Sequence, residues 1–151
     1  MKTDFEMVKE FHRAYGQPVK ESIAPVPREL AQQRLRLIME EHEEVLVELR
    51  KIIASADKDR ERQEEAQILL AKELADLLYV VHGTAVSFGI NLPAVMRAVH
   101  ESNMSKLGAD GKPIYREDGK VLKGPNYYEP DIKACLNIAI DGEVVSSGDG
   151  E

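Results

Sequence analysis

Cysteine is almost absent from this chain: Cys135 is the only one in 151 residues. No intrachain disulfide can form, and a reducing compartment fits. No apolar run approaches the ~20 residues a membrane helix needs, and no charged-then-apolar leader opens the sequence. A cytoplasmic location without a membrane partner is therefore expected. Positive charge is also in short supply. Twenty Lys and Arg stand against 27 Asp and Glu, giving a net charge of -7 and a pI near 5.2. That balance argues against a nucleic-acid polymer as partner, which would want a basic face. A single nucleotide held through metal ions stays compatible with it.

A hydrophobic fraction of 43% over this length is enough for one domain with a core. The expected domain covers residues 1–140, followed by a disordered Gly/Ser/acidic tail over 141–151. Thr3 and Glu6 read as a capping box, after which Phe5, Val8, Phe11 and Tyr15 recur at helical intervals until Gly16. A connector with Pro18, Pro25 and Pro27 follows. Helices are then expected over about 28–56, about 65–88 and, capped by Asn91, up to about 106. The charged stretch 57–65 reads as a turn or a solvated helical continuation. Asp118-Gly119 between short extended runs signals a small hairpin or ordered loop within 108–126, and Pro130 opens a brief last helix through Ile138.

Four carboxylates carry the chemistry. Glu41 and Glu44 are three residues apart in the second helix, and Glu73 and Asp76 repeat the spacing in the third, so each pair shares a face. With Ile38 as the zero of a helical wheel, Leu35, Val45, Leu46, Leu49, Ile52 and Ile53 form an apolar arc, and Glu41 falls inside it at roughly -60°. Around Glu73 cluster Ala66, Leu69, Leu70, Leu77 and Val80, with Asp76 beside them. Ionised carboxylates on a buried face need compensation. The plain alternative is a solvated acidic face in which Arg34 and Arg36 pair with Glu40 to Glu44; it fits the second helix better than the third, where only Lys72 is adjacent. The two pairs together favour a metal site, and oxygen donors select Mg²⁺ first, with Mn²⁺ as a substitute. A di-iron bundle would require Glu-x-x-His pairs. Each of the four histidines instead follows Lys9, Met39, Tyr79 or Arg97 by three residues.

The pattern Glu41-x-x-Glu44 and Glu73-x-x-Asp76, the latter inside Glu-Leu-Ala-Asp-Leu-Leu-Tyr-Val, resembles the metal-binding signature of the all-α nucleoside triphosphate pyrophosphohydrolases: the MazG-like, phosphoribosyl-ATP pyrophosphatase-like and dimeric dUTPase-like proteins. The Glu10–Ala14, Arg36–Glu41, Ser102–Lys106 and Arg116–Pro125 segments extend the similarity from about residue 4 to 133. The resemblance implies an all-α fold with a four-helix core, assembly as a homodimer or dimer of dimers, and hydrolysis of a (deoxy)nucleoside triphosphate between the α and β phosphates. It tilts the substrate toward dUTP or another pyrimidine deoxynucleotide, in nucleotide-pool housecleaning. Two or more Mg²⁺ ions would be held by Glu41, Glu44, Glu73 and Asp76. Glu41 is the choice for orienting or deprotonating the water, with Glu40 beside it.

Residues 104–124 hold five basic against three acidic residues, a local reversal of the chain's charge that suits phosphates. Asn103 and Lys106 are assigned to substrate there, as are Lys123 and Tyr127 of a Lys-Gly-Pro-x-Tyr element; Asn103 is expected to point partly inward. His12 is assigned to the base pocket, whereas Phe11 is expected to pack in the core. The alternative function is a non-catalytic dimeric helical module that binds or senses a nucleotide.

Overall fold

The computed structural model describes residues 1–56 and 59–138; the tail expected to be disordered, 141–151, lies outside the described residues. The elements are α1 (Asp4–Ala14), α2 (Arg28–Ser55), α3 (Arg60–Phe88), α4 (Leu92–Met104) and the single turn α5 (Ile132–Cys135). The chain divides into two compact units, residues 1–90 and residues from 91 onward. Among the described residues no single helix is long and apolar enough to cross a membrane. The all-α class read from the sequence is the class observed, with four long helices.

In the first unit, α2 and α3 form a long helical pair against which α1 packs through α3. The Thr3 hydroxyl accepts the Glu6 backbone N–H at 3.3 Å, and the Glu6 carboxylate accepts the Thr3 N–H at 2.7 Å; the capping box forms as read. Helix α3 begins at Arg60, five residues before the apolar periodicity. Asp59 caps it by accepting the Arg62 N–H at 3.1 Å, and Arg60 meets Glu64 at 2.9 Å, so residues 60–65 of the charged stretch form the solvated start of the helix, while 57–58 lie outside the described residues. It ends at Gly89, whose φ of +75° supplies the left-handed cap. A side chain would not fit there, because a Cβ would stand 1.9 Å from the Ser22 carbonyl oxygen.

The apolar arc of α2 is wider than its intrachain packing. Val45 is buried, yet Leu35, Leu49 and Ile53 of the same arc remain 59%, 39% and 74% exposed within the chain. The core packing expected of Phe11 is corrected. It is 40% exposed and stacks on Tyr15 at 4.3 Å.

In the second unit, α4 is capped by the Asn91 side chain, which accepts the Ala94 N–H at 3.3 Å. The two Asp-Gly-Lys copies build the same turn. Asp110 and Asp118 each accept the N–H two residues on, at 3.0 and 3.2 Å, and Gly111 and Gly119 take φ of +74° and +82°. Around the second copy the Leu122 N–H donates to the Ile114 carbonyl at 2.8 Å and Tyr115 bridges Val121 antiparallel, which is the expected small hairpin reduced to one bridge.

Candidate functional site

Helices α2 and α3 bring the acidic pairs together. One carboxylate oxygen each from Glu41, Glu73 and Asp76 lies within 4.8 Å of the others. Glu73 is buried, as its apolar surroundings on the helical wheel required, while Glu41 and Asp76 are half-buried. Glu44 reaches the same place from one turn further along α2: a hydrogen bond shared with the Glu73 carboxyl, then the Glu73 charge, pushes its pKa above the ordinary carboxylate value. Glu41 is also pushed up, first by burial and then by the Asp76 charge. Glu40 is exposed and acts on the cluster through its charge on Glu41.

A cation already sits on these acids. The Lys72 ammonium lies 3.0 Å from Glu73 and 2.7 Å from Asp76, and the pair of carboxylates drives its pKa upward. Three converging carboxylates, with Glu44 hydrogen-bonded to Glu73 and a positive charge already resident, fit a hard divalent ion, which prefers carboxylate oxygen.

The arginines expected to neutralise Glu40 to Glu44 do not do so. Among the described residues neither Arg34 nor Arg36 forms an ion pair with them. Arg34 instead turns into the α1–α3 packing, 5% exposed, where its Nε finds no hydrogen-bond partner and burial lowers its pKa. It stands beside His12. Both approach α3 at Gly83, where a Cβ would come within 3.0 Å of His12 Nε2 and 3.1 Å of Arg34 Nη1. His12 is 3% exposed and its Nδ1 donates to the Pro18 carbonyl at 2.9 Å. Burial, opposed by that bond, lowers its pKa. The exposed surface next to it belongs to Phe11, Tyr15 and Tyr79, with Phe11 edge-on to Tyr79 at 5.6 Å.

The remaining candidates lie in the second unit and gather there. Asn103 is exposed rather than inward, and its Oδ1 accepts the Lys106 ammonium at 2.6 Å. Lys123 reaches Glu129 at 3.1 Å and lies 4.1 Å over the Tyr127 ring. Glu129 is held below the ordinary carboxylate value by hydrogen bonds from Tyr127 and Lys123 and, more weakly, by the Lys106 charge. Of the two lysines assigned to phosphate, Lys123 thus pairs with Glu129 and Lys106 with the Asn103 oxygen.

Sequence reasoning passed over Glu48, seven residues after Glu41. It is 6% exposed, with Oε1 on Lys51 at 2.6 Å and Oε2 unpartnered. It lines a groove of about 630 Å³ with Ser55, Asp59, Arg62 and Ala66. The groove holds none of the four acids; its Glu48–Lys51 and Asp59–Arg62 pairs stand at 2.6 and 3.3 Å, and Glu65 adds a further acid to its wall.

The family model of the phosphoribosyl-ATP pyrophosphohydrolases matches residues 8–103, more than half of the chain and a span that includes all four acids. The chain belongs to this family. Membership in the phosphoribosyl-ATP pyrophosphohydrolases makes it a hydrolase of the MazG-like all-α kind, and an acidic cluster on paired helices is consistent with divalent metal use. A solved structure from Exiguobacterium sp. 255-15, provisionally described as an NTP pyrophosphohydrolase, is 23% identical and has a TM-score of 0.49, over 90% of this chain and 95% of that one. No curated protein matches. The matched span stops at Asn103, so Lys106, Lys123 and Tyr127 stand outside it.

Proposed function

We propose that this protein hydrolyses a (deoxy)nucleoside triphosphate at the α–β phosphate bond, giving the monophosphate and pyrophosphate, in a Mg²⁺-dependent reaction serving nucleotide-pool housecleaning in the cytoplasm. The observation that carries the reading is the convergence of Glu41, Glu73 and Asp76 within 4.8 Å, with Glu44 against them, on the span that defines the family. Glu41, Glu44, Glu73 and Asp76 would hold two or more ions, whose chemistry is to neutralise the triphosphate and stabilise charge at the α-phosphate and the leaving group.

The protein's own residues account for the rest. Glu41, half-buried within the cluster and beside Asp76, orients the attacking water or takes its proton at its carboxylate. Glu40 supports it as a neighbouring negative charge. Asn103, Lys106, Lys123 and Tyr127 bind the phosphates and sugar, with Lys123 exchanging Glu129 and Lys106 exchanging the Asn103 oxygen for phosphate oxygens. His12 borders the base, next to the exposed Phe11, Tyr15 and Tyr79 rings on which a base can stack. The favoured substrate is dUTP or another pyrimidine deoxynucleotide.

A homodimer, or a dimer of such dimers, completes the unit. On α2 the exposed Leu35, Met39, Leu49 and Ile53 follow alternating helical steps, with Leu46 completing the series, and α3 adds the exposed Leu74 and Leu78. Such a stripe is the surface a second helical pair covers.

The test is incubation with dUTP, dCTP and the common NTPs plus Mg²⁺, followed by pyrophosphate detection. Release that disappears with EDTA and in Glu73→Ala is the expected result. Tight nucleotide binding with no pyrophosphate from any member of the panel would make the protein a sensor.

A further inference from the structure

Lys72 projects into the cluster from the turn before Asp76. Its side chain is 62% exposed, yet its ammonium contacts two carboxylates, Asp76 at 2.7 Å and Glu73 at 3.0 Å. An ordinary helix-surface lysine pairs with one acid four residues on, and the link contributes little. This one differs because its acids belong to a group of three whose oxygens are within 4.8 Å, so it bridges charges that otherwise only repel. A divalent ion seated on Glu73 and Asp76 needs those same oxygens, and cations at such spacing exclude one another.

We propose that Lys72 is a built-in counter-ion of the acidic cluster, holding Glu73 and Asp76 together in the metal-free protein and leaving them when a divalent cation enters, so that it sets the cation concentration at which the site fills. The inference rests on the metal-site reading above. The flexible four-carbon stem and exposure make the exchange feasible without moving α3, whereas a buried arginine fork would be held in place. Lys72 is a positioning residue here: it acts through the acids, not on substrate.

The consequence is a pair of changes with opposite signs. In Lys72→Met the metal-free protein loses its counter-ion and melts lower, by about 2 °C, while Mn²⁺ or Mg²⁺, with no competitor, binds about fivefold tighter. Lys72→Arg should restore both values toward wild type. Calorimetric titration with Mn²⁺ and thermal melts in EDTA give the two readouts without any turnover. A surface lysine with only a structural role would lower the melting point and leave the dissociation constant unchanged, and that result overturns the proposal; so does weaker metal binding. Should Lys72→Met fail to fold, wild type supplies an independent measurement. Acetylation of Lys72 by an amine-reactive ester, followed by peptide mass spectrometry, should accelerate when Mg²⁺ replaces EDTA, and an unchanged rate refutes the exchange. If no divalent cation binds wild type at all, the metal-site reading itself falls, an outcome separate from the failure of the Lys72 inference.

Discussion

Replacing Glu73 by Gln should make the metal-free protein more stable at neutral pH and nearly blind to Mg²⁺. The side chain keeps its shape and loses its charge. Two unit charges 4.8 Å apart, the limiting separation in the cluster, repel by ~0.9 kcal/mol in bulk water and by ~3.5 kcal/mol at an effective dielectric constant near 20. Glu73, 9% exposed, lies between those limits and faces both Glu41 and Asp76; its contact with Lys72 at 3.0 Å offsets part of the repulsion. The net relief is about 1 kcal/mol, a rise in melting temperature of about 2–4 °C. Wild type should recover far more from metal, about 2.7 kcal/mol at a hundred times the dissociation constant, and Glu73→Gln should lose most of that gain. The pH dependence has a definite sign. Glu41 and Glu44 have native pKa values above 4.5, so the native state holds protons that the unfolded chain releases. Metal-free stability from these groups is complete below 4.5 and is lost as pH rises through their raised values, so the advantage of Glu73→Gln should shrink toward pH 4 and be full at pH 7. Melts in EDTA and in MgCl₂ across that range measure both effects. A variant that melts below wild type in EDTA at pH 7 and keeps the wild-type Mg²⁺ shift would refute the reasoning.

Ile53→Glu places a charge in the exposed α2 stripe, where Ile53 is 74% exposed, and if the proposed dimer forms should convert it to monomer in light scattering; a wild type that is itself monomeric, or a dimer mass unchanged by the substitution, removes that stripe from the proposed interface. Arg34→Met should stabilise the metal-free protein by about 1 kcal/mol or more, because it removes a buried guanidinium whose Nε has no partner, and so raise its melting temperature; a clear drop would mean that the buried charge is stabilising where it stands. Lys123→Met should raise KM for the triphosphate several-fold with little change in kcat if its ammonium leaves Glu129 for a phosphate; equal loss in both would assign it to the transition state instead.

The elements were legible because each carries local signals. Thr3 with Glu6, Asn91 and Gly89 bound their helices through short-range hydrogen bonds or a left-handed φ, and such chemistry is written in adjacent residues. The acids were legible for a related reason: a three-residue spacing fixes a face, and Glu73 amid apolar neighbours could only be buried. Spacing says nothing about which side of a helix meets its own chain. Leu35 and Ile53 share an arc with Val45, but only Val45 is covered, since α3 spans part of that arc. Arg34 illustrates the same gap from the polar side. Its sequence neighbourhood offers acids on α2, whereas the fold carries its guanidinium to His12 and Gly83, residues that are remote in the chain. The double turn at 110–112 and 118–120 looked too short to matter as a repeat, and it acts only locally, twice placing a lysine N–H on an aspartate.

The seam between α2 and α3 ties the acidic site to the proposed dimer. Arg34, Glu41, Glu48 and Ser55 follow one another at seven-residue steps on α2, as Ala66, Glu73, Val80 and Ser87 do on α3. These are inward positions: Arg34, Glu48, Ser55, Ala66, Glu73 and Ser87 are all buried. An ordinary helical pair would fill such a stripe with leucine and isoleucine. Here most of it is ionisable or hydroxyl-bearing, and the buried hydrophobic residues among those described are small: Val8, Val45, Ala66, Ala85 and Val86. Leu35, Leu49, Ile53, Leu74 and Leu78 remain exposed, while Leu37, Ile38, Leu46, Ile52, Leu70 and Leu77 are only half-buried. A pair of helices that gives its inside to charge recovers apolar burial where its outside is covered, and in the dimer proposed above a second copy of the same stripe would supply that surface. On this argument, loss of the interface should loosen the α2–α3 pair and with it the spacing of the four acids, so a monomeric variant should bind divalent cations more weakly even though no residue of the cluster has been changed.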